Sequence, residues 1–294
     1  MSSSSRGMLW MLGAALFFSA SVGFVRYLSD FMSAFEIVFF RQIMGLAFML
    51  PWLMRTGMAA ARTNRLPLQG MRAVLSYLGM SSSYYSFTLI PIADAVALQF
   101  TTPLFTTVLA IIFLKEVVGL HRWSAILFGF AGVLIIVRPG FEELDLGMLV
   151  AICAAVFYAS SNVANRALSR TESTAVILFY GFMLQIPMAS IPAAMTWITP
   201  GWSVVPPLLG FGIVSIAAQW CLTRALAAAD ASLVEPVMFV RLPFVSMIGY
   251  VLFTEIPDAW TWVGAAVIFV STVVLARREA LHFKRQAALK ISGC

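Results

Sequence analysis

Apolar runs of about twenty residues, separated by short polar connections, dominate the sequence. A run of this length crosses the hydrocarbon core of a bilayer as one α-helix. The pattern predicts membrane-spanning helices at 8–28, 33–54, 70–90, 92–114, 121–137, 147–168, 174–195, 204–226, 231–253 and 258–276. The connections are too short for a soluble domain. The predicted fold class is therefore an all-α polytopic membrane protein with ten transmembrane helices.

The two halves of the chain repeat each other with a shift of about 140 residues. In the first half, Ala93-Asp94-Ala95 is followed by Pro103, Glu116, Trp123 and Arg138. In the second half, Ala229-Asp230-Ala231 is followed by Pro243, Glu255, Trp262 and Arg277. Arg26-Tyr27-Leu28-Ser29 is likewise matched by Arg166-Ala167-Leu168-Ser169. The sequence predicts two five-helix repeats, at 8–138 and 147–277, and a basic cytoplasmic tail at 278–294.

An odd number of helices in each repeat has a structural consequence. The second repeat enters the membrane with opposite polarity, so the two repeats are inverted relative to each other. Two such units, related by an axis in the membrane plane, can expose a central cavity to either side in turn. This arrangement favours a carrier, although duplicated channels and membrane enzymes also exist.

Composition and charge agree with a membrane location. Hydrophobic residues make up 61% of the chain and charged residues 11%, whereas soluble domains carry about 25% charged residues. If the N-terminus is cytoplasmic, fifteen of the nineteen lysines and arginines fall on the cytoplasmic side. Both termini are therefore predicted inside, in a bacterial-type inner membrane. The basic residues behind the net charge of +6 flank apolar runs and do not form one patch. This distribution does not favour a nucleic-acid partner.

Three stretches resemble a known family. They are SAFEIVFFRQIMGLAFMLP from Ser33, ADAVALQFTTPLFTTVLAIIFLKE from Ala93 and RLPFVSMIGYVLFTEIPDAWTWVGAAVIF from Arg241. They are similar to the drug/metabolite transporter superfamily, EamA family, in a branch that includes S-adenosylmethionine uptake carriers. The resemblance implies ten helices around a central cavity and the movement of small metabolites by alternating access.

Charged residues within the predicted spans are the first functional candidates, because a charge at mid-membrane costs about 2.5–3.5 kcal/mol. Glu235 is predicted to bind a cationic substrate group or a coupling proton, unless it reaches water at the interface. Arg241 is predicted to bind a carboxylate or phosphate, unless it is neutralised within the protein. Arg41 resembles a common arginine of the family and is predicted to be a packing or interface anchor. Four acids near predicted interfaces are expected to be solvated: Glu36, Asp94, Asp230 and Glu255.

Uncharged polar and aromatic residues predict the walls of the cavity. Tyr77, Ser81 and Tyr84 recur at helical spacing in the third helix, and Tyr158, Asn162 and Asn165 do so in the sixth. Such faces should look inward, either as cavity walls or as hydrogen-bonded helix seams. The full set of candidate substrate-binding residues is Tyr77, Ser81, Tyr84, Gln99, Phe100, Tyr158, Asn162, Asn165, Gln219, Trp220, Glu235, Phe239 and Arg241.

Two other classes of protein were weighed against the carrier. A membrane enzyme needs a cluster of acids with a metal, or a nucleophile with a base, and the sequence shows no such motif. A channel needs a repeated pore ring or filter, and none is evident. The prediction is a non-enzymatic secondary carrier without catalytic residues, metal or cofactor. Its expected partners are a small-molecule substrate and the lipid bilayer, with a coupling proton as a further candidate.

Overall fold

A computed structural model describes residues 3–57, 62–114, 120–138, 145–168, 171–228, 235–271 and 273–274. The description leaves out the side chains at 3, 4, 110, 113, 114, 120–123, 125, 126, 166, 226, 227, 235 and 236. The helices are α1 (Ser3–Leu28), α2 (Ala34–Thr56), α3 (Leu66–Leu89), α4 (Ile92–Gln99), α5 (Thr102–Leu114), α6 (Leu120–Val137), α7 (Leu146–Leu168), α8 (Thr174–Met195), α9 (Val205–Ala228), α10 (Arg241–Phe253) and α11 (Ala259–Ser271). Two 3₁₀ segments, Trp202–Val204 and Glu235–Val240, precede α9 and α10. The described ranges contain no β-strand.

Serine residues begin the second helix of each repeat. The Ser33 hydroxyl accepts a hydrogen bond from the Glu36 backbone N–H at 3.2 Å, and the Glu36 carboxylate accepts one from the Ser33 N–H at 2.8 Å. This reciprocal capping box satisfies two N–H groups that the helix itself leaves unpaired. Ser173 accepts from the Val176 N–H at the start of α8. A serine N-cap therefore starts both α2 and α8, and in α2 Glu36 completes it to a capping box.

The predicted span 92–114 is not one continuous helix. It consists of α4 and α5, which are separated at Phe100 and Thr101. The hydroxyls of Thr101 and Thr102 donate to backbone carbonyls three residues earlier, at 2.6 and 2.7 Å. Pro103 has no N–H to continue the helical hydrogen-bond ladder. The continuous helix drawn from the sequence is wrong at this point, because side-chain bonds and the proline interrupt it.

The predicted span 231–253 is also interrupted. Glu235–Val240 forms a 3₁₀ segment, and an α-helix begins only at Arg241. Pro236 and Pro243 each lack a donor near this change of geometry. The interruption therefore occurs close to the matching prolines, Pro103 and Pro243, in both repeats. Broken helices at membrane depth are tolerated where they line a protein-enclosed cavity.

The length and surface of the helices identify a polytopic integral membrane protein. Among the described residues, six helical stretches are long and apolar enough to cross a bilayer, and shorter apolar helices accompany them. Large apolar side chains such as Met54, Leu127, Ile213 and Val251 are exposed on the outside of the bundle. On a soluble protein, an exposed apolar surface of this kind would cause aggregation. The ten-helix count and the cytoplasmic termini remain predictions.

Helices from the two repeats interlock. The most extensive contacts join α1 with α9 and α3 with α7. The halves of the first broken span, α4 and α5, pack on α7, while Glu235–Val240 and α10 pack on α1. We call α3, α4, α5 and α7 bundle A, and α1, α9, Glu235–Val240 and α10 bundle B. Each bundle therefore combines helices from both halves of the chain.

Two further helix pairs lie beside these bundles. α2 packs on α8, and α6 meets α11 where Gly132 and Gly264 face each other. A Cβ added at Gly264 would lie 2.6 Å from the Gly132 carbonyl oxygen. Glycine at both positions permits this approach, because only residues without a side chain allow backbones to come so close.

Candidate functional site

The two broken spans meet at an aromatic contact. Phe100 lies at the end of α4, and Phe239 lies in the 3₁₀ segment before α10. Their rings are stacked, with 4.2 Å between centroids. Phe239 also contacts Phe269 of α11, at a centroid distance of 4.6 Å. The predicted residues Phe100 and Phe239 are thus adjacent, at the boundary between bundle A and bundle B.

Arg241 begins α10 beside this contact. Its guanidinium lies over the Phe18 ring, with 5.6 Å between the guanidinium carbon and the ring centroid. The Nε atom of Arg241 is buried and has no hydrogen-bond partner. Tyr84 and Tyr158 lie close enough to interact with Arg241 electrostatically. In the described structure, one aromatic ring therefore lies over this cation and two tyrosines lie within electrostatic range of it.

Arg41 reaches the same region from α2. Its Nη1 donates to the Met80 sulfur at 3.3 Å, and Tyr84 lies beside it. Gln42 donates to the same sulfur at 3.3 Å and to Gln185 of α8 at 2.8 Å. A thioether is only a weak acceptor. Arg41, which the sequence predicted to be a packing or interface anchor, is therefore also a cation beside Tyr84. The sequence pattern did not indicate its neighbour Met80.

The polar face of α3 lies inside the protein. Tyr77, Ser81 and Tyr84 are all buried, and the Ser81 hydroxyl has no partner. Gln99 of α4 donates to Ser83 at 2.8 Å. This bond joins α3 to the break in the neighbouring span. The hydrogen-bonded seam is thus made by Ser83, which points about 200° away from Ser81 on α3, while Ser81 leaves a free hydroxyl on the face with Tyr77 and Tyr84.

α7 carries a polar strip that is more open. Tyr158 is half-buried near Tyr84 and packs against Gly79, while Asn162 and Asn165 are exposed. These three residues share one helical face. Cys153 lies on the opposite face and is exposed to the surroundings of the bundle. Asn162 and Asn165 are therefore exposed on the side of α7 that faces the protein interior.

The two predicted residues of α9 point in different directions. Gln219 is half-buried and shares a face with the buried Leu208. Trp220 is half-exposed, shares a face with the exposed Ile213, and lies 5.1 Å from the guanidinium carbon of Arg224. The structure thus separates Trp220 from the central aromatic pair. Adjacent residues of an α-helix point about 100° apart, so Gln219 and Trp220 do not share a face.

Glu235 lies at the start of the 3₁₀ segment, and its side chain is outside the described part of the structure. Asp230 is outside it as well. The role predicted for Glu235 remains a prediction.

A polar network closes the far end of the bundle, where Glu255 follows α10. One carboxylate oxygen accepts from Arg26 Nε at 2.9 Å, and the other accepts from the Ile92 backbone N–H at 2.9 Å. Nearby, the Thr261 hydroxyl donates to Asp94 at 2.6 Å. We call these five residues the Glu255 cluster. Because Ile92 begins α4 and Glu255 lies two residues after the end of α10, the cluster joins bundle A to bundle B.

Two acids expected to be solvated are buried instead. Glu36 is 0% exposed and Asp94 is 6% exposed. Glu36 accepts from Ser33 and from the Ile198 N–H at 3.0 Å, while Asp94 accepts from Thr261. Those hydrogen bonds replace the lost water. The prediction of solvated acids is therefore wrong at these two positions, because it took depth in the span as the only determinant of exposure.

Contacts between bundle A and bundle B are unequal at their two ends. α1 contacts α3 and α4, and α4 contacts α10. The sequence repeat matches α7 with α1 and α9 with α3, yet α7 and α9 make little contact within the described residues. Among the described residues, the bundles are therefore in contact at the Glu255 cluster, whereas α7 and α9 make little contact toward the opposite end, near Asn162 and Asn165.

This architecture defines a class of membrane protein. Interlocked helix bundles that enclose a polar and aromatic centre, with broken helices at that centre, are typical of small-molecule transporters. The sequence profile of the EamA-like transporter family matches residues 5–138 and again residues 145–277. The chain belongs to the EamA-like transporter family. The resemblance seen in the sequence is thereby confirmed.

Characterised relatives cover nearly the whole chain. A riboflavin transporter of Vibrio cholerae is 31% identical over 96% of this chain and 96% of its own length. An S-adenosylmethionine uptake transporter of Rickettsia bellii is 29% identical, with 95% and 97% covered. A pseudopaline exporter of Pseudomonas aeruginosa is 30% identical, with 93% and 96% covered. These relatives are named as small-molecule transporters, not as enzymes.

A crystal structure of another protein shares the fold. It aligns with a TM-score of 0.63 at 19% sequence identity and covers 93% of this chain and 98% of that one. The similarity extends to the whole helical arrangement.

Proposed function

We propose that this protein is a secondary carrier that moves a small amphipathic metabolite across the bacterial inner membrane by alternating access. The observation that carries the proposal is the unequal contact between bundles A and B. Matched repeats that make unequal contacts have an alternative arrangement, in which the contacts broken at one end form at the other. The centre at Phe100 and Phe239 would then open to each side in turn.

The proposed substrate is an amino acid or a molecule similar to S-adenosylmethionine. Its support is the aromatic and polar centre, together with relatives named for riboflavin, S-adenosylmethionine and pseudopaline. Aromatic rings offer stacking surfaces, and groups such as Gln99 and Tyr84 offer hydrogen bonds that fix orientation. Both an uptake transporter and an exporter occur among the relatives, so the direction of transport follows the gradient that drives it.

We further propose that five helices of each repeat span the membrane and that both termini are cytoplasmic. Alkaline phosphatase fused after Cys294 is then expected to be inactive, because the enzyme matures only in the periplasm. The same fusion within 139–144, a connection predicted outside, is the matched control and should be active. The reverse pattern of activities would overturn the topology.

In this topology the Glu255 cluster closes the periplasmic end, and loss of its charge should weaken that closure. Glu255→Gln removes the ion pair with Arg26. A loss of about 1 kcal/mol shifts a two-state equilibrium about fivefold. We therefore expect a cysteine at Gln99 to react about fivefold faster with an impermeant maleimide added outside the cell. Cys153, Cys221 and Cys294 are first replaced by serine.

The matched control for Glu255→Gln is Asp30→Asn. Asp30 also pairs with Arg26, but at 3.4 Å and with a side chain that is 59% exposed, so its loss should leave the labelling rate nearly unchanged. Equal labelling of Glu255→Gln and the parent protein would contradict the closure assigned to Glu255.

The sequence repeat gives the Arg26–Glu255 pair a counterpart, since Arg166 matches Arg26 and Glu116 matches Glu255. Both side chains lie outside the described part of the structure, so this expectation rests on the repeat alone. If the counterpart stabilises cytoplasmic closure, Glu116→Gln should slow periplasmic labelling of the Gln99 position. Faster labelling would show that Glu116 does not perform the matching role.

A further inference from the structure

Two arginines near the centre of the bundle lie within electrostatic range of the same two tyrosines. Arg241 approaches from the start of α10 and Arg41 from α2. Both lie close to Tyr84 and Tyr158. We call these four side chains the arginine–tyrosine cluster. Its four residues lie on four different helices, α2, α3, α7 and α10. The cluster therefore forms only in the folded protein.

The described structure gives this cluster no acidic partner. Its ion pairs join Arg26 to Asp30 and Glu255, and Arg138 to Asp258. Neither central arginine takes part in one. Two positive charges at membrane depth are costly, and buried charges are normally paired. The contacts of Arg41 and Arg241 with a thioether and with aromatic rings do not neutralise them.

The backbone at this point supplies few free donors. α10 begins at Arg241 directly after the 3₁₀ segment Glu235–Val240, and Val240 itself has helical dihedral angles. Pro243, in the first turn of α10, has no N–H. The buried and unpartnered Nε of Arg241 lies at this helix start. The two arginines without an acidic partner and the buried, unpartnered Nε of Arg241 therefore favour an anionic ligand.

We infer that the arginine–tyrosine cluster binds an anionic group of the substrate, a carboxylate or a phosphate, while Phe100 and Phe239 contact its apolar or ring portion. A guanidinium binds either anion in a bidentate manner. Tyr84 and Tyr158 supply hydroxyl groups beside it. This inference rests on the proposed function and narrows its substrate to molecules that carry such a group.

Matched pairs of compounds test the inference on the purified full-length protein. S-adenosylmethionine is compared with its decarboxylated form, and riboflavin 5′-phosphate with riboflavin. Charged hydrogen bonds of this kind change affinity by about tenfold or more. We expect the anionic member of at least one pair to bind at least about tenfold more tightly. The pair that discriminates identifies the anion as a carboxylate or a phosphate.

Arg41→Gln and Arg241→Gln should each abolish that preference. The matched control is Arg224→Gln, because Arg224 lies against Trp220 on the outer face of α9 and should retain the preference. Equal binding of both members of each pair, the absence of binding by both anionic members, or an undiminished preference in both central variants would overturn the inference.

A carboxylate supplied by the protein provides a test that needs no substrate. Met80 accepts from Arg41, so Met80→Glu would place an acid against that guanidinium. We expect Met80→Glu to melt at a higher temperature than Met80→Gln, and the difference to disappear when Arg41→Gln is added. A lower melting temperature for Met80→Glu than for Met80→Gln would show that Arg41 is not stabilised by an anionic partner.

These binding and stability measurements are independent of transport. If the arginine-dependent preference is found but the bound compound does not cross a vesicle membrane, the anion site stands and the carrier proposal fails. If transport is found without the preference, the carrier stands and the anion site fails.

Discussion

Oxidation of a cysteine pair at Ile92 and Gly249 is expected to stop transport almost completely, and reduction is expected to restore it. A Cβ added at Gly249 would lie 3.3 Å from Ile92 Cγ1, and a disulfide joins Cβ atoms about 3.5–4.5 Å apart. Ile92 begins α4 of bundle A, and Gly249 lies in α10 of bundle B. Such a covalent bond would hold the end at the Glu255 cluster closed.

The measurement is uptake into proteoliposomes of the compound that binds most tightly, in protein whose native cysteines are replaced by serine. The control pair is Ser21→Cys with Ser215→Cys. Their hydroxyl oxygens lie 3.1 Å apart, on α1 and α9 of the same bundle, so this disulfide should leave transport largely intact. Full transport by the oxidised Ile92–Gly249 protein would mean that the bundles do not separate there.

Glu235→Gln is expected to abolish accumulation against a gradient while the protein still folds. Glu235 lies in the interrupted part of the ninth predicted span, where the chain leaves α-helical geometry. A carboxyl group there can exchange a proton or bind a cationic group of the substrate as the centre opens to each side. Glutamine keeps the size of the side chain but neither its charge nor its titration.

The effect of Glu235→Gln is measured as the accumulation ratio and its dependence on pH. Glu172→Gln serves as the control, because Glu172 is an acid bonded to Thr63 at 2.7 Å away from the centre, and it should accumulate substrate normally. Wild-type accumulation and pH dependence in Glu235→Gln would make Glu235 a solvated interfacial acid.

Much of the fold follows from local sequence signals. Apolar runs give the helices, and the repeated residues around Pro103 and Pro243 give the two-fold organisation. In 231–253, Pro236 indicates a break in the helix, whereas the hydropathy of 92–114 is continuous, so that span appears unbroken in the sequence. Hydropathy measures burial in lipid and does not detect a change from α to 3₁₀ geometry.

The candidate site could be predicted less completely from the sequence, because its contacts join segments that are far apart in the chain. Depth in a span identified Arg41 and Arg241, but only the tertiary structure shows them with Tyr84 and Tyr158. Glu36 carried a readable signal, since Ser33 and Glu36 have capping-box spacing. The bond between Glu255 and the Ile92 N–H joins residues far apart in the chain, and no local pattern encodes it.

Accessibility of Gln99 from each side of the membrane tests alternating access most directly. A cysteine at this position is labelled by an impermeant maleimide outside cells and, separately, in inverted membrane vesicles. Labelling is expected from both sides in reduced protein. Closure of the Ile92–Gly249 disulfide should eliminate periplasmic labelling and preserve cytoplasmic labelling. Periplasmic labelling that persists unchanged after cross-linking, or labelling confined to one side before it, would contradict alternating access.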